Sequence, residues 1–231
     1  RSILNFLSIP QGEKVTALVA YGEAEAKGAF LVMATKGGVI KKTPLEDFEN
    51  VRRGGIIALK LKGEDALQWA TLSSGSDEFI LVTALGQSIR FKESDVRKMG
   101  RTAAGVRAVK LGRGDFVVSA DVVRNDAHTA EIFIITENGF GKTTSVQEYK
   151  VQKRGGSGIK TAKVTSKTGK VVRGSVVSKD ERALGEFVVM SKRGQVIRLP
   201  MKDVPSLGRA TQGVRVMKLR AGDSIASVVH F

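Results

Sequence analysis

The sequence predicts an all-β fold, a propeller-like array of repeated four-stranded blades. Three observations predict it. A strand–turn–strand pattern occurs four times, with its turn glycines Gly38, Gly86, Gly139 and Gly194 spaced 48, 53 and 55 residues apart. A Gly-led segment follows each hairpin, written "GIIALKL", "GVRAVKL", "GIKTAKV" and "GVRVMKL". The apolar runs are short, rich in Val, Ile and Phe, and bounded by Gly, which is typical of strands. Regular repeats of this length favour propeller blades.

Each element of the repeat has its own signal. The hairpins are "FLVMATKGGVIKK" from Phe30, "FILVTALGQSIRF" from Phe79, "IFIITENGFGKTT" from Ile132 and "FVVMSKRGQVIRL" from Phe187. After each Gly-led segment come a short turn, usually with an acid, and another apolar run. Residues 44–50, 92–100 and 201–208 predict helices of one or two turns at most. A β-sandwich is the alternative fold, but sandwiches rarely show such regular self-similarity.

The repeats predict one domain over residues 1–231. Full repeats span 29–77, 78–130, 131–185 and 186–231. Residues 1–28 match only the back half of a repeat, since "LSIPQGEKVTALV" is similar to "VKLGRGDFVVSADVV". We therefore expect the tail of an upstream blade there, and a chain that starts inside a larger domain.

Composition excludes several functional classes. There is no cysteine, which excludes disulfides and thiolate metal sites and suits the cytosol. No apolar run approaches the roughly 18 residues of a membrane helix, and the N-terminus does not read as a signal peptide. "GFGKTT" lacks the spacing and the helix of a nucleotide-binding loop. His128 and His230 are isolated, and no catalytic constellation stands out, so we expect no metal, no cofactor and no chemistry in this segment.

The basic residues recur in register with the repeats. The chain carries 38 Lys and Arg against 23 Asp and Glu, a net charge of +15. Residues 150–173 hold eight basic residues and no acid. Basic residues follow each hairpin turn, precede each Gly-led strand, or lie two residues beyond its glycine. In a blade array, equivalent positions lie on equivalent edges, which predicts a positive rim. A merely solvated rim is the alternative for some of these residues.

A positive rim suits a phosphate backbone, because each neutralised phosphate releases counterions. The 13 aromatic residues lie largely in apolar runs, and no recognition helix is apparent. We therefore expect double-stranded DNA with weak sequence preference. Following a curved rim bends the duplex, at about 1–6 kcal/mol per 20–30 base pairs.

The hairpins "ATKGGVIKKT", "IRFKESDVRKMGRTAAGVRAVKL" and "ITENGFGKTTSVQEY" closely resemble the C-terminal domain of the bacterial DNA gyrase A protein, over essentially the whole chain. That resemblance implies a β-pinwheel, whose blades exchange strands with their neighbours. "QKRGGSG" at 152–158 resembles the gyrase A box, a glutamine–basic–basic–Gly–Gly–basic–Gly loop needed for wrapping. It departs at Ser157, where the family favours a cation. It also lies in a late blade, the fifth of six by repeat order, so we expect the principal box upstream of residue 1.

The resemblance implies a non-catalytic domain that wraps DNA so that the ATP-dependent holoenzyme introduces negative supercoils. It also implies a cytoplasmic, nucleoid-associated protein without a membrane, whose partners are the rest of the gyrase A protein and the gyrase B protein. ATP and magnesium would bind elsewhere in the holoenzyme, and the isolated domain would be monomeric. The C-terminal domain of the topoisomerase IV A protein and a protein-interaction propeller are the alternatives. The candidate DNA-binding residues are Lys41, Lys42, Arg52, Arg53, Arg90, Arg101, Arg107, Lys142, Lys150, Gln152, Lys153, Arg154, Gly155, Gly156, Gly158, Lys160, Arg198, Arg209 and Arg215.

Overall fold

The computed structural model describes residues 13–51, 54–125 and 127–230, and this part of the chain is built mainly of short β-strands. The first two repeats contribute β1 Phe30–Thr35, β2 Val39–Pro44, β3 Leu67–Ser73, β4 Glu78–Thr83, β5 Gln87–Lys92, β6 Val106–Arg107 and β7 Val117–Val123. The last two contribute β8 Glu131–Thr136, β9 Phe140–Ser145, β10 Ile159–Lys160, β11 Val171–Val177, β12 Glu186–Ser191, β13 Val196–Pro200, β14 Val214–Arg215 and β15 Ile225–His230. The predicted all-β class is confirmed.

Neighbouring repeats exchange strands. The sheet orders are β3-β1-β2-β6, β10-β5-β4-β7, β11-β8-β9-β14 and β13-β12-β15. Each of the first three sheets takes three strands from one repeat and its fourth, two-residue strand from the next repeat. All these pairings are antiparallel. This is the strand exchange that the resemblance implied. The strands of one sheet are therefore not all encoded in one repeat, because the fourth strand comes from the following repeat.

The turn glycines receive the exchanged strands. The carbonyl of Gly86 accepts the N–H of Thr161, just beyond β10, at 2.8 Å. A Cβ on Gly86, whose φ is +80°, would lie 2.5 Å from the carbonyl oxygen of Ala162. Only glycine tolerates both the positive φ and this close approach, since real Cβ contacts are not that short. The glycine that makes the hairpin turn therefore also docks the strand from the next repeat.

The hydrophobic core lies between successive sheets. On β4, Phe79 and Leu81 pack with residues of the first sheet, while Ile80 and Val82 pack with residues of the third. Strand β8 repeats the arrangement, with Ile132 and Ile134 on one side and Phe133 and Ile135 on the other. Successive side chains point to opposite faces of a strand. Burial on both faces explains why these runs are continuously apolar rather than alternating.

The array has an inner and an outer side. Strands β3, β7, β11 and β15 contact one another in sequence, so they form the inner side. The exchanged strands β6, β10 and β14 lie at the opposite end of their sheets. We call this end the outer edge, and it is where the second, third and fourth Gly-led segments of the sequence are presented.

Three features differ from the sequence-based expectation. Among residues 13–51, 54–125 and 127–230 the fourth sheet has three strands, and 55–61, the first Gly-led segment, has no regular secondary structure. The expected strand in 1–28 lies partly outside the described residues, and 13–28 holds only the helix α1, Glu23–Ala26. The short helices of the sequence are 3-10 turns at Leu45–Phe48, Glu93–Asp95 and Met201–Asp203, with another at Val146–Glu148.

One helix was not predicted from the sequence. Helix α2, Lys179–Leu184, begins at Ser178, whose side chain accepts the N–H of Glu181 while the Glu181 carboxylate accepts the N–H of Ser178. This Ser-x-x-Glu capping box was readable in the sequence. Neither helix of the described residues is long and apolar enough to cross a membrane, and no group of three or more metal-binding side chains gathers there.

Candidate nucleic-acid interface

Three cations occupy the same place on successive sheets. Arg107, Lys160 and Arg215 are each the second residue of an exchanged strand, and each is exposed. They stand opposite Val39, Gln87 and Phe140 on the receiving strands. We call these three residues the outer cations. Their strands end the sheets, so the predicted rim of positive charge corresponds to the outer edge at these positions.

The box-like loop at 150–158 contacts β5 of the second sheet and the residue that follows β6, the strand exchanged into the first sheet. The N–H of Gln152 donates to the Arg90 carbonyl at 2.7 Å, and the N–H of Gly155 donates to the Ala108 carbonyl at 2.6 Å. Lys150 and Lys153 are exposed, whereas the side-chain amide nitrogen of Gln152 is buried without a hydrogen-bond partner among the described residues. The backbone of the loop is therefore fixed while its two lysines face solvent.

The glycines of this loop have separate roles. Gly155 and Gly158 both have positive φ, +83° and +74°. Gly158 packs so closely on the carbonyl of Ser88 that no Cβ would fit, whereas a Cβ on Gly155 would lie 3.7 Å from the Arg107 carbonyl oxygen, an ordinary contact distance. Gly156 packs near Ile89, and the residue itself is exposed. Gly158 thus serves the strand exchange, and Gly155 and Gly156 shape the loop.

In the third and fourth repeats, an arginine four residues before the Gly-led glycine ties its loop to a neighbouring one. Arg154 donates from Nε to the Asp95 carbonyl at 2.8 Å and from a terminal nitrogen to the Arg107 carbonyl at 3.0 Å. Arg209 donates to the Lys160 carbonyl at 2.6 Å. Both arginines are half-buried, so they hold the backbone of an outer cation as well as carrying charge. Arg101 is the equivalent residue of the second repeat and is also half-buried.

The rim position predicted for Lys41, Lys42 and Lys142 is wrong. All three are buried. The ammonium of Lys142 donates to the carbonyls of Gly208 and Arg209 at 2.7 and 2.5 Å and to the Thr211 hydroxyl at 3.2 Å.

Lys41 does the same for the carbonyls of Ala58 and Arg101. Lys42 pairs with the buried carboxylate of Glu93 at 3.2 Å. A buried cation must be compensated in this way, and these ammonium groups consequently stabilise the packing of repeats instead of reaching a ligand.

Burial also changes the chemistry of two of these lysines. Desolvation lowers the pKa of Lys142 to about 8, with a further lowering by Arg209 and an opposing effect of Glu148. Desolvation likewise lowers the pKa of Lys41 to about 8, opposed by Asp47 and assisted by Arg101. Removal of a charged group from water disfavours its charged form. The two loops that precede β6 and β14 are thus held by ammonium groups that lose their protons in mildly alkaline solution.

Two further candidate DNA-binding arginines form ion pairs with glutamates. Arg90 pairs with Glu78 and donates to the carbonyls of Val146 and Tyr149 at 2.8 and 3.0 Å, linking the second repeat to the third. Arg198, the equivalent residue of the fourth repeat, is more exposed and pairs with Glu186. Arg52 and Arg53 lie outside the described residues.

A basic pocket lies beside Arg215 and was not predicted from the sequence. A cavity of about 260 Å³ is lined by Lys167, Lys218 and Arg220 together with Arg215 and Phe140. Lys167 and Arg215 both lie 5.5 Å from the centre of the Phe140 ring, within cation–π range. Lys167 belongs to the acid-free run at 150–173, which was the available signal for it.

Comparison with known proteins places these features in a family. The family model described as "DNA gyrase C-terminal domain, beta-propeller" matches residues 29–74, 77–124, 130–178 and 185–230. The chain belongs to the DNA gyrase C-terminal domain family. It is 38% identical to the DNA gyrase A protein of Staphylococcus epidermidis (strain ATCC 12228 / FDA PCI 1200) over 226 residues, 98% of this chain. Identity to the DNA gyrase A protein of Staphylococcus aureus (strain NCTC 8325 / PS 47) is 36% over the same share. The chain spans about a quarter of the length of these relatives, since it covers 25% of each.

Solved structures agree with the gyrase family fold. A structure of the DNA gyrase A C-terminal domain superposes with a TM-score of 0.85 at 27% identity, covering 100% of this chain and 75% of that one. The C-terminal domain of a DNA topoisomerase IV superposes with the same TM-score, 0.85, at 20% identity, covering 100% of this chain and 70% of that one. The second likeness concerns the fold alone. The resemblance to the gyrase domain and the β-pinwheel organisation are thereby confirmed.

Proposed function

We propose that this chain is a non-catalytic DNA-wrapping domain of a DNA gyrase A protein. Duplex DNA binds along the outer edge and bends around it, and the holoenzyme uses this wrap to introduce negative supercoils in an ATP-dependent reaction. The observation that carries the proposal is the exposure of Arg107, Lys160 and Arg215 at one equivalent position on three successive sheets. Cations repeated at the spacing of the blades match a polymer of phosphates better than a compact ligand.

The proposed DNA contacts differ from the candidate DNA-binding residues that the sequence predicted. They comprise the outer cations, the exposed Lys150 and Lys153, and the basic pocket of Lys167, Lys218 and Arg220. Arg154 and Arg209 contribute by positioning the loops and by their charge, and Arg101 contributes by its charge. Lys41, Lys42 and Lys142 are excluded from direct contact by burial.

A duplex suits the surface better than a single strand. Single-strand binding proteins stack bases on accessible aromatic rings. Here Phe79, Phe91, Phe133 and Phe187 are fully buried between the sheets. The phosphate backbone therefore supplies the binding energy, and sequence preference is weak.

The remaining properties of the proposal concern the parent protein. ATP and magnesium act elsewhere in the holoenzyme, whose other parts are the remainder of the gyrase A protein and the gyrase B protein, in the bacterial cytoplasm. Gyrase is favoured over topoisomerase IV because the curated relatives named above are gyrase A proteins, at 36–38% identity.

Charge reversal with a matched control tests the interface. The double variant Arg107→Glu and Lys160→Glu changes two outer cations, whose carbonyls rather than side chains are used by neighbouring loops. The control double variant Lys27→Glu and Lys179→Glu changes the net charge equally, at exposed residues beside α1 and in α2.

Duplex affinity should fall at least about tenfold for the outer-edge variant, and its salt dependence should become shallower. The control should change affinity much less. If both variants lost the same affinity for duplex DNA, the loss would be due to net charge alone, and the proposed interface would be contradicted.

A topology assay tests wrapping directly. Plasmid relaxed by a topoisomerase in the presence of the chain should retain a linking-number difference after the protein is removed. The outer-edge variant should trap a smaller difference than the control. A bound chain that leaves the linking number unchanged would bind DNA without wrapping it, and the wrapping proposal would then fail.

A further inference from the structure

A lysine lies five residues after each Gly-led glycine, at Lys60, Lys110, Lys163 and Lys218. All four residues are exposed. Within 13–51, 54–125 and 127–230, none of their ammonium groups forms a hydrogen bond or an ion pair. Each repeat therefore presents a cation at this position, in addition to the outer cation of the last three repeats.

The packing of the turn glycines fixes the place of Lys110. Val109 and Leu111 pack on Gly38, since a Cβ there would lie 2.8 Å from the first and 3.4 Å from the second. These two residues flank Lys110 in the chain. Lys110 therefore lies over the hairpin turn of the first sheet.

Two of the other lysines have equivalent places. Lys163 follows Ala162, whose carbonyl oxygen would lie 2.5 Å from a Cβ on the turn glycine of the second sheet. Lys218 follows Met217, whose carbonyl oxygen would lie 2.4 Å from a Cβ on the turn glycine of the third sheet. We call Lys110, Lys163 and Lys218 the turn lysines, because they lie at the hairpin-turn end of the sheets.

The following repeat holds the backbone of this row. The N–H of Lys110 donates to the Gly156 carbonyl at 2.8 Å, and the N–H of Lys163 donates to the Thr211 carbonyl at 3.0 Å. Both acceptors lie two residues before the next Gly-led glycine. Because the backbone is already fixed, binding of a ligand by these ammonium groups costs only side-chain entropy.

Two cavities place these lysines beside the outer cations. The basic pocket of the third sheet is lined by both Lys218 and Arg215. A cavity of about 210 Å³ on the first sheet is lined by Lys60 and Lys62 together with Arg107. In both cavities an outer cation is joined by a lysine five residues after a Gly-led glycine, so the two rows face a common surface.

The acids at the hairpin-turn end have structural partners. The carboxylate of Asp65 accepts the N–H of Gly37 at 2.7 Å, and that of Asp115 accepts the N–H of Leu85 at 2.9 Å. Both aspartates are half-buried. They hold the turns instead of pairing with the exposed lysines, whose ammonium groups are accordingly available to a ligand.

The opposite end of the sheets carries exposed charges of both signs. Its 3-10 turns present the carboxylates of Glu46, Asp95 and Asp203, beside the lysines Lys98 and Lys202. Carboxylates repel a phosphate backbone. A duplex on the outer edge is therefore drawn toward the hairpin-turn end.

We propose that the turn lysines bind phosphates of the same duplex as the outer cations, so that the DNA follows the hairpin-turn end of the outer edge. This inference rests on the proposed function, because it needs a duplex on that edge. The two rows alternate along the chain in the order Arg107, Lys110, Lys160, Lys163, Arg215 and Lys218. Each blade then neutralises more phosphates than its outer cation alone, which strengthens binding and steepens its salt dependence.

Neutral substitutions test this path of the DNA. The double variant Lys110→Gln and Lys163→Gln removes two exposed ammonium groups that lie outside the contacts of the proposed function. The control double variant Lys98→Gln and Lys202→Gln removes the same charge at the opposite end of the sheets. All four positions are exposed, so both variants should unfold at the same urea concentration as the wild type.

The salt dependence of binding to a linear duplex of mixed sequence is the measurement. For the turn-lysine variant, the slope of log affinity against log salt concentration should become shallower by about 2, roughly one for each lost phosphate contact. Its affinity should also fall, about fivefold or more. The control should keep the wild-type slope, and a control that loses as much slope as the turn-lysine variant would overturn the inference.

The outer-edge variant Arg107→Glu and Lys160→Glu separates this inference from the proposed function. If it loses affinity while the turn-lysine variant behaves like the control, the duplex binds the outer edge without the turn lysines, and only this inference fails. If the outer-edge variant keeps the affinity of the wild type, the proposed interface itself fails, and this inference fails with it.

Discussion

The substitution Lys142→Met has an effect on stability that depends on pH in a defined direction. Methionine keeps the length and packing of the buried stem but removes the ammonium. The carbonyls of Gly208 and Arg209 then lose their donor, at about 1–3 kcal/mol each. Removal of a desolvated charge offsets part of this loss. We expect a net destabilisation of about 2 kcal/mol at pH 7.

The pKa of Lys142 gives the free energy gained by removing the desolvated charge. The fall of this pKa from 10.5 to about 8 on burial corresponds to at most about 3 kcal/mol, and to less where water reaches the ammonium. Between these two values the folded chain binds fewer protons than the unfolded chain at this residue. The free energy of unfolding contributed by Lys142 therefore rises with pH from about 8 to 10.5. The variant lacks this contribution, so the stability gap should widen by about 2 kcal/mol between pH 7 and pH 10.

Urea unfolding at pH 7, 8, 9 and 10 measures the gap. Lys41 and Tyr149 also have shifted pKa values, but both chains contain them. Their contributions therefore cancel when the free energy of unfolding of the variant is subtracted from that of the wild type. Lys202→Met, at an exposed lysine, is the control and should show a small gap that does not change with pH. A gap for Lys142→Met that stays constant or narrows as the pH rises would refute the assignment of a desolvated ammonium.

Three further substitutions test the contacts between repeats, each by urea unfolding at pH 7. Gly158→Ala should cost at least about 2 kcal/mol more than Gly155→Ala, because both have positive φ but only Gly158 lacks room for a Cβ; equal costs would leave the close approach without effect. Arg90→Met should cost about 3 kcal/mol, whereas Arg198→Met at the exposed equivalent position should cost less than about 1 kcal/mol; the reverse order would contradict the structural role. Glu93→Gln should cost about 3–5 kcal/mol, since it leaves a buried ammonium without its carboxylate, and a neutral effect would mean that this pair is dispensable.

The blade architecture could be predicted because its signals are local. A turn glycine between two apolar runs sets a hairpin, and the runs are continuously apolar because both faces of the sheet are buried. The outer cations were also predictable, since a residue placed after the Gly-led glycine has the same environment in each repeat. Arg107 and Lys160 satisfy this rule, and Ile57 breaks it.

The buried lysines could not be predicted because their partners are distant in the chain. The carbonyl of Arg101 that Lys41 holds lies 60 residues away, and the carbonyls that Lys142 holds lie 66 and 67 residues away. A lysine just after a hairpin turn has the pattern of a surface residue until the next repeat covers it. The same reason conceals the role of Arg154, whose acceptors are 59 and 47 residues away.

Strand exchange has a consequence for how this molecule can be shortened. Sheet three carries β14, which is encoded in the last repeat, so removal of residues after 185 would strip the outer strand from the blade that remains. It would also remove Arg215, the cation displayed on that blade. The charge and the edge of each of the first three blades are thus inherited from the repeat that follows it in the gene. Insertion or deletion of one repeat therefore changes the strands of two blades, its own and the blade before it.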